Sequence, residues 1–148
     1  MNKEKKLDVL KDSAVQAHIS MLQGIINRMA GNSANCKNWT VTLVAAMLVL
    51  LVDKEMQLPN ACLCLIPVGL LYLLDCYYLG LERAMIKSQK DFLDRLSDDT
   101  YVDLIYRVEN LGGRCTQLRN TIKAMCSPST TLFYLIVALV VLFFGKII

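Results

Sequence analysis

Three long apolar runs, Trp39–Val52, Ala61–Leu81 and Thr130–Ile148, are separated by charged stretches in a chain of only 148 residues. A helix that crosses a bilayer needs about 20 mostly apolar residues. Hydrophobic residues make up 55% of the chain, above the roughly 45–50% of an ordinary globular domain. The runs therefore predict an all-α integral membrane protein and argue against most soluble enzyme folds. No short apolar run lies within the first 30 residues, so a cleaved secretory signal is not expected.

Thr130–Ile148 is long enough to span almost by itself, with one charge, Lys146, near its end. Ser127-Pro128 before it reads as a helix start, with serine as cap and proline as first helical residue. Ala61–Leu81 is also long enough; Leu58-Pro59-Asn60 reads as a turn before it, and Pro67 predicts a kink inside it. Trp39–Val52 is short and becomes a full span only if its helix starts near Ser33–Cys36. The predicted division is a leader helix over 1–32 and a transmembrane hairpin over 33–81, with spans at about 35–52 and 61–81. A cytoplasmic helical region over 82–127 and a third transmembrane helix over 128–148 follow.

The loop between the first two spans is so short that both flanks of the hairpin lie on one side. Residues 1–37 carry six Lys or Arg against three acids, and residues 82–128 carry eight against seven. The positive-inside rule then places both in the cytoplasm. The N-terminus is expected inside and the C-terminus outside the membrane.

Outside the spans, Leu7, Leu10, Ala14, Ala17, Met21, Ile25 and Met29 recur at helical spacing. Such a stripe can pack on the chain's own helices, self-associate, or lie on the membrane surface. Gly31-Asn32-Ser33 is expected to break or bend the chain before the first span. Beyond Leu81 a helix is expected to continue, with Met85, Ile86, Phe92, Leu93 and Leu96 on one side. Ser97–Thr100 reads as a break. Val102, Ile105, Val108 and Leu111 form a second stripe, although a strand over 101–108 fits the same residues. Gly112-Gly113 ends that stripe, and Leu118, Ile122 and Met125 mark a last short amphipathic helix.

Asp75 is the charge that lies well inside a span, and an ionisable residue there suggests function. It sits about 9 Å from Leu81 along a helix, near the inner interface. Lys37 enters at a similar level, with Arg28 and Arg83 behind it. The set reads either as an ion pair fixing the hairpin's register or as a group in ion passage or gating. Trp39, Tyr72, Tyr77 and Tyr78 read as interfacial aromatics. His18, the single histidine, lies beside the leader's stripe and suits packing or a polar bridge better than metal binding. Cys36, Cys62, Cys64, Cys76, Cys115 and Cys126 form no paired zinc pattern. No phosphate loop, catalytic set, cofactor motif or metal cluster is apparent, so the chain reads as a non-enzyme. Arg107, Arg114 and Arg119 could form a pocket for an anionic ligand. Interleaved acids argue against direct nucleic-acid binding.

The segments AHISMLQGIINRMAGNSANCKNWTVTLVAAM (Ala17–Met47), LDCYYLGLER (Leu74–Arg83) and SPSTTLFY (Ser127–Tyr134) together resemble a family of small bacterial membrane proteins. Its members share the amphipathic leader, the short hairpin, the Asp-x-Tyr-Tyr-Leu segment and a last apolar helix. The likeness extends over most of the chain except 97–126. The layout is also similar to transmembrane effectors of anti-phage defence, including the SLATT type, from which the third span departs. That resemblance implies a homo-oligomeric effector that perturbs or permeabilises the host membrane in abortive infection. A cytosolic partner protein or nucleotide signal would be its trigger. The rival expectation is a non-catalytic scaffold that recruits a soluble partner enzyme to the bilayer.

Overall fold

The computed structural model of the chain describes residues 8–52, 58–96, 99–108 and 113–147. All regular structure among them is helical. A helical turn over 8–11 precedes α1 (Ser13–Val52), α2 (Leu58–Arg95), a 3-10 turn (Asp99–Leu104), α3 (Arg114–Met125) and α4 (Pro128–Ile147). The strand considered for 101–108 is therefore replaced by the 3-10 turn.

α1 contains 40 residues and α2 contains 38, so each is nearly 60 Å long at about 1.5 Å per residue. That is roughly twice the bilayer's hydrocarbon thickness. The leader and first apolar run are thus one rod, and so are the second run and the helix after it. The expected break at Gly31-Asn32-Ser33 is absent. Weak helix formers cost up to about 1 kcal/mol each. Here they are outweighed by packing: Ser33, Cys36, Thr40 and Val44 follow at helical spacing and are all buried. Leu58-Pro59-Asn60 likewise lies inside α2 and not in a turn. Proline is tolerated there because the first-turn N–H groups have no intrahelical acceptor. Asp12 starts α1 by accepting the Ala14 N–H at 3.0 Å through Oδ1.

α2 is the spine. α1 packs along it as the other arm of a hairpin, and α3 and α4 return along it, bent by 63° at their junction. The pairing of Tyr134 with Leu71, and of Val141 with Cys64 and Val68, makes α4 antiparallel to α2. Two hydrophobic cores result. One holds Val44, Cys64, Val68, Tyr134 and Val141 between α1, α2 and α4. The other holds Val15, Phe92, Leu96 and Leu104 at the far end of the hairpin.

Several stripes turn differently from their sequence pattern. On α1 the buried residues are Val15, His18 and Leu22, while Ala17 is exposed and Ala14, Met21, Ile25 and Met29 are half-buried. Leu10 packs at the edge of the second core; Leu7 lies outside the described residues. Met85 and Phe92 on α2, and Leu96 just after it, are buried but Ile86 is exposed. The helix expected through Val102, Ile105 and Val108 stops at Tyr106, whose φ is 63°. A right-handed helix cannot continue through that backbone. Leu111 and Gly112 lie outside the described residues. On α3, Leu118 and Ile122 face outward, because Ala124 and the Asn120–Thr121 backbone meet α2 instead.

Among the described residues one helix, Leu63–Arg95 within α2, is long and apolar enough to cross a membrane. The bent pair Cys115–Met125 and Pro128–Phe144 meets the same requirement only when taken together. Three separate spans were expected. The first and third expected spans both run into residues, 50–52 and 145–148, whose side chains lie outside the described ones.

Gly80 sets the approach of α3. A β-carbon there would lie 3.0 Å from Thr121 N, 3.1 Å from Asn120 C and 3.2 Å from Asn120 O. Backbone atoms of a helix cannot yield as a side chain can. Gly80→Ala should therefore lower the melting temperature, its roughly 1 kcal/mol gain in helix propensity being exceeded by an overpacking cost of about 1–3 kcal/mol. Gly24 has nothing within 4 Å of the same position, so Gly24→Ala should raise it. Thermal unfolding of both variants checks the contrast.

Candidate functional site

Between the two cores lies a polar layer. Asp75, fully buried on α2, accepts a short hydrogen bond from Ser33 Oγ at Oδ1. Lys37 Nζ lies 2.6 Å from Oδ2 and donates to Ser33 Oγ at 3.1 Å. Oδ2 is thus held by the ammonium's charge without a well-aligned hydrogen bond. Ser33 and Lys37 are four residues apart and share a face of α1. Both reach the same carboxylate, which fixes how α1 slides and rotates on α2. Next to them, Thr40 Oγ1 donates to the Cys36 carbonyl at 2.7 Å. Tyr134 donates to the Leu71 carbonyl at 3.3 Å, its hydroxyl within electrostatic reach of Asp75.

Of the cations grouped with Asp75 in the sequence, Lys37 alone reaches it. Arg83 is eight residues further along α2, about 12 Å, and its guanidinium donates to Ser127 Oγ at 3.0 Å. Tyr72 donates to the Met125 carbonyl at 3.0 Å and packs edge-on against Tyr134. Arg83 and Tyr72 therefore pin the α3–α4 junction to α2. Arg28 is exposed on α1, about 14 Å from Lys37 along the helix. Trp39 is 61% exposed and Tyr77 40%, while Tyr78 is half-buried beside Tyr77. Tyr72 is the one member of the expected aromatic belt that turns into the junction.

Nearer the second core is a cavity of about 290 Å³. Its floor is His18, Phe92 and Leu104, all buried, and its rim carries exposed Lys87, Asp91, Arg107 and Arg119. Two of the three arginines grouped by sequence thus meet; Arg114 opens α3, and its side chain lies outside the described ones. Lys87 and Asp91 join them from α2, on one face at a spacing of four. That spacing was the available sequence signal, hidden because nothing showed which helix would lie opposite.

His18 links floor and rim. Its ring lies 4.3 Å from Phe92, centroid to centroid, and its Nδ1 accepts the Tyr106 N–H at 3.1 Å. That bond holds the left-handed turn from which Arg107 projects, itself closed by Arg107 N–H donating to the Leu104 carbonyl at 3.0 Å. Burial lowers the imidazole pKa below its usual 6.5. No group of three or more His, Cys, Asp or Glu side chains able to hold a metal occurs among the described residues. Cys36, Cys76, Cys115 and Cys126 are free thiols and Cys64 is buried in the first core, and the side chain of Cys62 lies outside the described ones.

Comparison with protein-family models, curated proteins and solved structures gives no match. The arrangement is therefore read from this chain's own chemistry.

Two outcomes follow. Lys37→Met leaves the buried Asp75 carboxylate without its cation and should cost about 3–5 kcal/mol, whereas the double variant Lys37→Met/Asp75→Leu should recover most of that loss. Thermal unfolding of the three proteins in detergent checks this. For His18 the folded pKa lies below the unfolded one, so the unfolded state binds the extra proton first. Stability should be full above about pH 6.5 and fall as pH drops below it, with a limiting slope near 1.4 kcal/mol per pH unit. Protonation would also remove the acceptor for Tyr106. His18→Gln should flatten the acid limb of a melting-temperature profile between pH 7.5 and 5.

Proposed function

We propose that the chain is an integral membrane protein in which α1, α2 and α4 enter the bilayer together, and that it acts as an oligomeric membrane effector. The observation that carries the embedding is the surface of α2. In its most apolar window, of mean hydropathy 1.7, only 28% is buried inside the protein. A core helix of a soluble domain would bury most of such a window. Leu63, Ile66, Leu70, Leu73 and Leu74 point outward from α2, Val41, Leu43 and Val49 from α1, and Leu135, Leu139 and Phe143 from α4. These residues form one belt around the first core. Soluble monomers rarely expose so large a contiguous apolar surface.

The effector reading draws on the layout shared with membrane effectors of anti-phage defence and on the polar content of the belt. Among the described residues the only buried ion pair there, Lys37–Asp75, joins α1 to α2, and no row of polar side chains lines a path through one chain. Passage of ions would require several copies, brought together through the belt or the helical extension. The extension, with its cavity, is the part placed to receive a partner or signal. A scaffold that anchors a soluble partner would use the same extension but leave the membrane sealed.

Alkaline carbonate should leave the protein in the membrane pellet; release into the supernatant would overturn the embedding. Cells expressing the chain with its genomic neighbours should lose membrane potential on phage challenge, as read by a potential-sensitive dye. An unchanged potential together with a stably co-purified partner would replace the effector with the scaffold.

A further inference from the structure

We propose that the cavity between α2 and α3 binds the phosphoryl group of a small anionic metabolite, with Lys87, Arg107 and Arg119 as its cationic contacts. Three separate elements supply these groups: α2, the turn after Leu104, and α3. Among the described residues, three cations and one carboxylate, Asp91, line a space of about 290 Å³. Bringing like charges together costs energy unless an anion answers them. The interleaving of acids and bases along the sequence makes such an excess unexpected on a merely solvated face. Guanidinium forks match the tetrahedral oxygens of phosphate, and lysine supplies a point charge.

The concavity separates this place from an ordinary basic patch. His18 and Phe92 close its floor, both nearly inaccessible to solvent, so an anion seated there sheds water on that side and feels the cations more strongly. Because His18 Nδ1 accepts the Tyr106 N–H, the neutral ring carries its proton on Nε2, a donor suited to a phosphoryl oxygen. Asp91 and Asn120 add to the lining groups that recognise hydroxyl or amino substituents. The volume lies just below the usual range for drug-sized ligands, which suits a molecule no larger than a mononucleotide. The site lies about 18 Å beyond Asp75 along α2, on the part of the hairpin outside the apolar belt. It stands whether or not that belt crosses a bilayer.

The test uses the full chain in detergent, titrated with inorganic phosphate, pyrophosphate and adenosine monophosphate at constant ionic strength. At least one should raise the melting temperature saturably. Arg119→Gln, Arg107→Gln and Lys87→Gln should each raise the half-saturating concentration about tenfold. Lys90→Gln, a cation of the same helix outside the cavity lining, should leave it unchanged. Far-ultraviolet circular dichroism identifies any variant that fails to fold, and the other two then carry the comparison. A parallel arm uses nanodiscs with and without anionic phospholipid. A response confined to the anionic nanodiscs, and lost in the same variants, would assign the phosphoryl group to a lipid headgroup. No ligand response, or one that the three variants share equally with Lys90→Gln, would overturn the proposal.

Discussion

The Ser33–Lys37–Asp75 cluster is the constraint on which the rest of the structure depends. Asp75 is fully buried, and a buried carboxylate without a partner costs several kcal/mol. Its partners come from one turn of α1, so α1 and α2 have a single low-energy register. That register places Val44 beside Cys64 and Val68 on one side of the layer, and Val15 and His18 beside Phe92 on the other. An apolar hairpin alone would slide, because leucine and valine faces repack with small penalties. The ion pair is best understood as specifying the hairpin's register more than as a source of net stability.

The second organising feature is the return of the chain along α2. Gly80 lets α3 approach to backbone contact, and Arg83 and Tyr72 hold the junction at Ser127 and Met125. The junction sits just beyond the polar layer, so α4 enters the apolar end while α3 remains beside the charged extension. The chain thereby separates its chemistry by height. Apolar side chains surround one core, a neutralised polar layer marks the boundary, and Lys87, Arg107 and Arg119 gather around the cavity above it.

Much of this order was legible in the residues. Asp75 was recognisable as a charge inside an apolar run, with Lys37 the cation that enters at a matching depth; the sequence grouped Arg28 and Arg83 with it as well. Ser127-Pro128 marked the start of α4 through capping chemistry. Other elements were not legible. Gly31-Asn32-Ser33 looks like a break, since local propensity disfavours helix there, yet Ser33 is buried against Asp75. The stripe built on Ala14 and Ala17 omitted His18, because a polar ring is not counted as apolar even when it is buried on a phenylalanine. Leu118 and Ile122 match a packing face but lose it to the small residues that admit closer contact.

The sequence by itself determined the helical class, the apolar runs, the hairpin and the buried charge pair. These follow from local composition and from the cost of leaving a charge unpaired in an apolar setting. Only the tertiary structure decided which face of each rod turns inward and that the leader and first span are one helix. It also decided which of the arginines share a cavity. Those outcomes depend on side chains distant in sequence: His18 meets Tyr106 across 88 positions, and Arg83 meets Ser127 across 44. A periodic pattern records how often a face recurs, whereas its partner is set by closest approach between whole helices.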